Sequence, residues 1–165
     1  LKQAFTDLLP MMDEMGEQCV ETYRRIFNAN NALYVIPTFP NVLETLHQLH
    51  EQGYTLTIAS SRSNRSLREF VNDMHLNEVI PYVLGAENVV RAKPYPDPVL
   101  QTLETFNCKP EDALVVGDTW YDIEMGRRAG VRTCGVTYGN GSREELMRAC
   151  ADFLVDDFGE LMEII

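Results

Sequence analysis

The feature that most constrains the fold is an alternation of strand and helix patterns that runs from residue 41 to residue 165. Short β-branched and apolar runs, typical of strands, alternate with segments whose apolar residues recur at helical spacing. The strand-like runs are YTLTIAS (54–60), YVLGAENV (82–89), ALVVG (113–117), RTCGVT (132–137) and DFLVDD (152–157). Such alternation is typical of a parallel sheet covered by helices on both faces, with right-handed crossovers. The sequence therefore predicts an α/β fold with a doubly wound parallel sheet.

The residues before this alternation have a helical pattern. Apolar side chains from Val20 to Phe27 recur at helical spacing, with no Gly or Pro between them. The two prolines of IPTFPN (36–41) end that pattern. We therefore predict a boundary here, with a helical region at 1–36 and an α/β region at 37–165.

Local signals also predict where individual helices begin and end. Asn41 with Glu44, and Ser142 with Glu145, have the spacing of a capping box. Gly130 follows a helical pattern and predicts its end, because glycine readily takes the left-handed conformation found at helix C-termini.

Composition and charge exclude several kinds of partner. With 165 residues, 45% of them hydrophobic, the chain has enough apolar material for one domain with a real core. Its formal net charge of −11 disfavours nucleic acid, but a metal ion or a local lysine can still let it bind a small phosphorylated metabolite. No stretch approaches the roughly 20 apolar residues of a membrane span. Four cysteines without a C-x-x-C pair indicate reduced thiols, and we expect a cytoplasmic protein with neither nucleic acid nor a membrane as partner.

Ligands of doubly wound sheets bind outside the carboxyl ends of the strands, so polar residues at those ends are candidates for a site. Ser60 and Ser61 end the first predicted strand, where hydroxyl and backbone N–H groups can hold phosphate oxygens; a turn or helix-cap role is the alternative. Lys93 precedes Pro94, which restricts it to extended conformations. A lysine held in this way can stabilise phosphate as a point cation, and the alternative is a surface lysine in a proline-rich loop.

A third strand end carries two acids. Asp118 follows the apolar run ending at Gly117, and Asp122 lies one helical turn further on, so both carboxylates can face one point. Oxygen ligands at this spacing suit Mg²⁺, which binds through one or two carboxylates and keeps water or phosphate in its other positions. Thr119 and Trp120 lie between the acids and are candidates to line the same mouth, Thr119 as a substrate contact and Trp120 either as that or as a packing residue.

The order of these signals resembles a known family. A strand ending in Ser, then K-P-x-P-D-P, then an apolar strand ending in G-D-x-x-x-D, is similar to the haloacid dehalogenase superfamily of phosphatases. The segment GVTYGNGSREELMRACADFLVDDFGEL resembles the equivalent region of phosphoglycolate phosphatases and related pyrophosphatases.

The resemblance implies a Rossmann-like core that hydrolyses a small phosphomonoester through an aspartyl-phosphate, with Mg²⁺ as cofactor. It implies that Ser60 binds the transferring phosphoryl group, with Ser61 and Arg62 nearby. It also implies that Lys93 neutralises the nucleophile and the phosphate. Phosphoryl transfer depends on this kind of charge stabilisation and positioning.

For the metal, the resemblance implies that Asp118 ligates Mg²⁺ and that Asp122 supports the ion directly or through water. For the domains, it implies that residues 1–36 are the latter part of a helical cap and that residues 37–165 are the core.

The chain departs from the family in lacking the first motif, D-x-D-G-T, which supplies the nucleophile. The nearest pattern, VDDFG (155–159), has adjacent acids instead. In the family the strand bearing the motif lies between those ending at Ser60 and Gly117, and without it both would expose unpaired backbone groups. We therefore expect the motif on a segment before Leu1, with a catalytically inactive relative as the alternative.

Other functions fit parts of the pattern. A phosphoryl-transferring mutase of the β-phosphoglucomutase type shares this set of residues. A non-catalytic phosphate-binding relative would retain it without turnover. A receiver domain also combines acids, Ser/Thr and Lys around Mg²⁺, but its acids come first, whereas here Ser60 and Lys93 precede Asp118.

Overall fold

The structure, a computed structural model, describes residue 5, residues 13–30 and residues 37–165. The chain divides into two compact units, residues 1–38 and residues 39–165.

The first unit contains helix α1 (Asp13–Asn30). The rings of Tyr23 and Phe27, one turn apart on this helix, stack with their centroids 6.0 Å apart. The helical pattern predicted from Val20 to Phe27 is therefore confirmed. The rest of the predicted helical region, at 1–4, 6–12 and 31–36, lies outside the described residues.

The second unit alternates strands and helices, and every paired strand is parallel to its neighbour. In chain order the elements are α2 (Val42–Glu51), β1 (Thr57–Ala59), α3 (Asn64–Asp73), β2 (Tyr82–Leu84), α4 (Asp97–Phe106), β3 (Leu114–Gly117), α5 (Trp120–Ala129), β4 (Arg132–Val136), α6 (Arg143–Arg148) and β5 (Phe153–Val155). Short 3₁₀ helices cover Ala86–Asn88, Pro110–Asp112 and Phe158–Glu163. The predicted α/β class is confirmed. In the part of the chain that the structure describes, no helix combines the length and apolar character needed to cross a membrane.

The strands form two ladders. β1 pairs with β2, with Ile58 opposite Val83. β4 pairs with β3 on one side and with β5 on the other, with Cys134 opposite Val116 and Phe153. Among residues 37–165, β1 and β3 each have a strand partner on one side only. The ladders are thus separate at the position where the resemblance places a further, motif-bearing strand.

Three apolar clusters hold these layers together. The first packs α3 against the segment around β2, with the buried residues Leu67, Val71, Leu76, Val79, Ile80 and Val83. The second joins α4 to α5, with Val99, Leu103, Met125, Ala129 and Val131. The third lies on β4 and β5, with Cys134, Val136, Val155 and Leu161. The second cluster fixes α5, whose first turn carries the predicted site residue Asp122.

The predicted helix boundaries have different outcomes. Gly130 ends α5 with φ of 78°, as predicted. Oγ of Ser142 accepts a hydrogen bond from the backbone N–H of Glu145 at 3.1 Å, which confirms half of that capping box. The box predicted at Asn41 is wrong, because Asn41 takes a left-handed conformation with φ of 59° and makes no cap hydrogen bond. Its Nδ2 donates instead to Oδ2 of Asp157 at 2.8 Å, which ties α2 to the C-terminal 3₁₀ helix.

Candidate active site

The candidate site lies where β3 ends and α5 begins. Asp118 directly follows β3, Thr119 is the N-cap of α5, and Asp122 lies in the first turn of that helix. Oδ2 of Asp122 accepts hydrogen bonds from the backbone N–H of Thr119 at 3.1 Å and from its hydroxyl at 2.7 Å. A Cβ at Gly117 would overlap the buried side chain of Asp122. The glycine before Asp118 therefore leaves room for Asp122 to fold back over the strand end.

Lys93 provides the cation of this site. Its Nζ donates to Oδ1 of Asp122 at 2.5 Å, and the two side chains are 20% and 7% exposed. The Lys93–Pro94 peptide bond is cis. Because little solvent separates or screens the two charges, their attraction is stronger than that of a surface pair. Both oxygens of Asp122 thus have protein partners, Lys93 on one side and Thr119 on the other.

The loop that carries Lys93 is held against α5. Nη1 of Arg128 donates to the carbonyl oxygen of Pro94 at 3.4 Å, and its guanidinium lies 5.6 Å from the ring centroid of Tyr95. Nε of Arg128 donates to Oε1 of Glu124, one turn earlier on α5, at 2.8 Å. One helix therefore positions both Asp122 and the loop of the lysine that pairs with it.

Asp118 is held from a different direction. Its Oδ2 accepts hydrogen bonds from the backbone N–H of Asn140 at 2.8 Å and from Nδ2 of Asn140 at 2.9 Å. Its backbone carbonyl accepts a hydrogen bond from the N–H of Gly141 at 2.9 Å. A Cβ at Gly139 would overlap the Asp118 carboxyl group, and one at Gly141 would overlap the Asp118 carbonyl oxygen. The segment after β4 therefore packs directly on Asp118.

These contacts test whether the site fits a magnesium ion. Oδ1 of Asp118 accepts no hydrogen bond from any described residue, so it is the available carboxylate oxygen, whereas both oxygens of Asp122 are engaged. In residues 13–30 and 37–165, no group of three or more His, Cys, Asp and Glu side chains could enclose a metal. A single carboxylate fits Mg²⁺, which commonly binds through one or two carboxylates together with substrate phosphate and waters.

Tyr138 is a polar neighbour of this site that stays uncharged. Burial, and after it electrostatic interactions with Asp157, Cys134 and Asp118, raise the pKa of the Tyr138 phenol to about 12. Its ring packs on Phe39 with centroids 4.7 Å apart. The phenol therefore adds no negative charge near Asp118 at neutral pH.

Ser60 lies at the end of β1, in the other ladder. Its backbone N–H donates to the carbonyl of Leu84 at 2.9 Å, and its Oγ accepts a hydrogen bond from the N–H of Arg62 at 3.2 Å. The Arg62 guanidinium is turned along α3, where Nη2 donates to Oγ of Ser66 at 2.8 Å and the group lies 5.2 Å from the centroid of Phe70. Ser61 is exposed.

The structure thus brings part of the predicted set into direct contact. Lys93, Thr119 and Asp122 share one hydrogen-bonded cluster, and Asp118 lies beside it on the same strand end. No described hydrogen bond joins Ser60, Ser61 or Arg62 to that cluster.

Two contributors to the site were not predicted. Asn140 holds Asp118, and Arg128 holds the Lys93 loop. The G-N-G triplet of GVTYGNGS was a visible signal for Asn140, since flanking glycines often mark a close backbone approach.

Comparison with known proteins identifies related chains. Residues 1–136 match the family model of haloacid dehalogenase-like hydrolases. The pyrophosphatase PpaX of Anoxybacillus flavithermus is 30% identical over 152 residues, which cover 92% of this chain and 70% of that protein. The PpaX of Bacillus cereus strain B4264 is 30% identical over 149 residues, or 90% of this chain and 68% of that protein.

Solved structures are similar in fold as well. A predicted phosphatase from Clostridium acetobutylicum superposes with a TM-score of 0.86 at 26% identity, covering 99% of this chain and 76% of that one. A predicted phosphoglycolate phosphatase from Haemophilus somnus superposes with a TM-score of 0.84 at 24% identity, covering 93% of this chain and 68% of that one; at this identity the likeness shows the fold alone.

Proposed function

This chain belongs to the haloacid dehalogenase-like hydrolase family and is a hydrolase of the phosphatase type, and from that premise we propose that it hydrolyses a small phosphomonoester with Mg²⁺ through an aspartyl-phosphate. The single observation that carries the proposal is the ion pair of Lys93 with Asp122 at the strand end where Asp118 also lies. A half-buried ammonium and an available carboxylate at one strand end are suited to a dianionic phosphate with a divalent cation.

Lys93 is proposed to balance negative charge in the reaction. Its pairing with Asp122 holds the ammonium in a setting that is only 20% exposed, where a phosphate oxygen would feel it with little screening. Because the position of the ammonium is set before substrate binds, little reorganisation is needed in the transition state. Asp122 is then proposed to act mainly through Lys93, with any support of the metal passing through water.

Asp118 is proposed to ligate Mg²⁺ through Oδ1, the oxygen left without a hydrogen bond among the described residues. When bound, Mg²⁺ would polarise the phosphoryl oxygens and offset their charge. Thr119, which fixes Asp122 through two hydrogen bonds, is proposed to lie at the mouth of the same site.

Ser60 is proposed to bind the transferring phosphoryl group. Its Oγ already accepts a hydrogen bond from Arg62, so its own hydroxyl proton remains to be donated to a phosphate oxygen. Ser61 is exposed beside it, in keeping with a phosphate contact. For Arg62 to contribute its guanidinium, the side chain would have to leave Ser66 and Phe70.

These 165 residues do not contain the D-x-D-G-T motif, to which we propose that the nucleophile belongs. We propose that it lies on a strand between β1 and β3, the two strands that have a partner on one side only in the described residues. Residues 1–36 are proposed as part of a helical cap and residues 37–165 as the core; the helix α1 of the first unit supports this division. The free cysteines of the described residues fit a cytoplasmic protein.

The test is phosphate release by the full-length gene product with two substrates. Pyrophosphate is chosen because the PpaX relatives are pyrophosphatases, and phosphoglycolate because the segment that begins in β4 resembles phosphoglycolate phosphatases. Asp118→Asn should lower kcat/KM by roughly 100-fold or more, and EDTA should abolish turnover until Mg²⁺ is restored. Asp112→Asn, an exposed acid in a 3₁₀ helix, is the matched control and should leave turnover unchanged. Full activity in Asp118→Asn or in EDTA would contradict the proposal.

The same assay separates the alternatives. Phosphate recovered on a sugar hydroxyl instead of in solution would identify a mutase. Binding of Mg²⁺ and inorganic phosphate without any turnover would identify a non-catalytic relative.

A further inference from the structure

The G-N-G segment at residues 139–141, between β4 and α6, lies directly on Asp118. We propose that Asn140 is a positioning residue that orients the Asp118 carboxylate for a divalent cation, an inference that rests on the proposed role of Asp118 as the metal ligand. Asn140 itself is exposed and does not need to touch substrate or metal to act in this way.

Asn140 holds one oxygen of the Asp118 carboxylate and leaves the other without a hydrogen bond from a described residue. Both hydrogen bonds from Asn140, the backbone N–H at 2.8 Å and Nδ2 at 2.9 Å, end on the same oxygen, Oδ2 of Asp118. Two donors converging on one oxygen fix the rotation of the carboxylate about its last side-chain torsion. Oδ1 then points away from Asn140 and keeps its lone pairs for another ligand.

The backbone of the G-N-G segment lies very close to Asp118. The Gly141 N–H donates to the Asp118 carbonyl at 2.9 Å, so the backbone of Asp118 is held as well as its side chain. A side chain at Gly139 would collide with the Asp118 carboxyl group, and one at Gly141 with the Asp118 carbonyl. Glycine on both sides of Asn140 therefore permits an approach that any other residue would prevent.

The segment is also anchored on both sides of Asn140. Thr137 Oγ1 donates to Oδ1 of Asp156, and Nη2 of Arg143 donates to the same oxygen at 2.5 Å. These two hydrogen bonds lower the pKa of Asp156 because they favour its charged form. The segment is thus tied to the end of β5 from both of its ends.

A further anchor joins the segment to α5. Ser142 caps α6 by accepting a hydrogen bond from the N–H of Glu145 at 3.1 Å. Oε1 of Glu145 accepts the backbone N–H of Trp120 at 3.3 Å, two residues after Asp118. The segment that carries Asn140 is therefore held by hydrogen bonds of Thr137, Arg143 and Glu145. Loss of the Asn140 side-chain amide should change the orientation of the Asp118 carboxylate and leave the fold of the segment in place.

The test is a calorimetric titration of the full-length protein with Mg²⁺ alone. Asn140→Ala keeps the backbone N–H but removes Nδ2, and it should raise the Kd for Mg²⁺ roughly 10-fold, as loss of an outer partner of a metal ligand does. The Mg²⁺ concentration that gives half-maximal turnover should rise by the same factor. Asn140→Gln, which keeps an amide donor at an exposed position, should recover part of that loss.

Asn77→Ala is the matched control, because among the described residues the side chain of this exposed asparagine hydrogen-bonds only that of Asn72. It should leave the Kd for Mg²⁺ unchanged. Gly141→Ala is a second variant, which keeps the amide but forces the segment away from Asp118, and it should weaken Mg²⁺ binding as well. It keeps the inference testable if Asn140→Ala does not fold.

Asp118→Ala separates failure of the role proposed for Asn140 from failure of the role proposed for Asp118. Loss of Mg²⁺ binding in Asp118→Ala together with parental binding in Asn140→Ala and Gly141→Ala would overturn the inference and leave the proposed function intact. Parental binding in Asp118→Ala would overturn both. Weaker binding in Asn140→Ala, with partial recovery in Asn140→Gln, supports the inference.

Discussion

Nζ of Lys93 lies 2.5 Å from Oδ1 of Asp122, in a pair whose side chains are 20% and 7% exposed. The two residues are 29 positions apart in sequence. Lys93 lies in the loop before α4, and Asp122 lies in the first turn of α5. Thr119 occupies the other oxygen of Asp122. The pair therefore joins the loop before α4 to the first turn of α5. We expect it to contribute to stability as well as to the proposed chemistry.

Removing the lysine should leave a buried, unpaired carboxylate. We expect Lys93→Ala to lower the free energy of unfolding by about 2–3 kcal/mol, somewhat less than for a fully buried pair because Lys93 is partly exposed. Lys109→Ala, which removes an exposed lysine 3.8 Å from Glu111, should change it by less than about 1 kcal/mol. Urea denaturation of both variants provides the measurement. If both variants lower the free energy of unfolding by the same small amount, the Lys93–Asp122 pair contributes no more stability than an exposed pair.

The sequence and the structure agree best where the signal is local. The G-D-x-x-x-D pattern places Asp118 and Asp122 one helical turn apart, and both are found at the strand end. Their different partners could not be read locally, because Asn140 lies 22 residues beyond Asp118 and reaches it only through the pairing of β4 with β3.

A similar limit applies to the strand predicted at 82–89. β2 ends at Leu84, and a 3₁₀ helix covers Ala86–Asn88. Oδ1 of Asn88 accepts hydrogen bonds from the Gly85 N–H at 2.8 Å and from Nδ2 of Asn64 at 2.6 Å. These side-chain contacts replace the ladder that an extended strand would form. The contact with Asn64, 24 residues away in sequence, is the part that could not be read locally.

Gly117 is required by the side chain of Asp122 rather than by backbone conformation. A Cβ at this position would overlap Asp122, so Gly117→Ala must displace the carboxylate from Lys93 and Thr119. We expect a loss of about 1–3 kcal/mol in unfolding free energy, as for other overpacked sites. Turnover should fall with it. A thermal unfolding midpoint and kcat/KM equal to those of the parent would contradict this interpretation.

The cysteines should differ sharply in reactivity. Burial, with a smaller effect of the Glu160 charge, raises the pKa of the Cys134 thiol from 9.0 to about 11, whereas Cys150 is exposed. At pH 8, DTNB should modify Cys150 rapidly and Cys134 only after unfolding, and Cys150→Ser should remove the fast phase it contributes. Rapid labelling of Cys134 in the folded protein would show that solvent reaches the apolar cluster on β4 and β5 that contains it.

The raised pKa of the Cys134 thiol also makes the stability of the fold depend on pH. The folded protein holds the Cys134 proton more tightly than the unfolded chain, so the contribution of the neutral thiol is fully present below pH 9. It should be lost progressively as the pH rises from about 9 to about 11. Urea midpoints across this range should fall less steeply in Cys134→Ala than in the parent. If the urea midpoint falls equally steeply with pH in both proteins, ionisation of Cys134 does not contribute to the loss of stability.

Arg128 offers a test of how the Lys93 loop is positioned, because it has a matched counterpart. Arg128 pairs with Glu124 and Arg65 pairs with Glu69, each one helical turn apart, but only Arg128 also reaches Pro94 and Tyr95. Both alanine variants should cost less than about 1 kcal/mol of stability, since exposed pairs contribute little. Arg128→Ala should in addition lower kcat/KM roughly 10-fold, because even a small displacement of Lys93 from the position proposed for it would weaken its hold on the phosphate. Arg65→Ala should leave kcat/KM unchanged. If the two variants have the same turnover, the contact between Arg128 and the loop does not position Lys93.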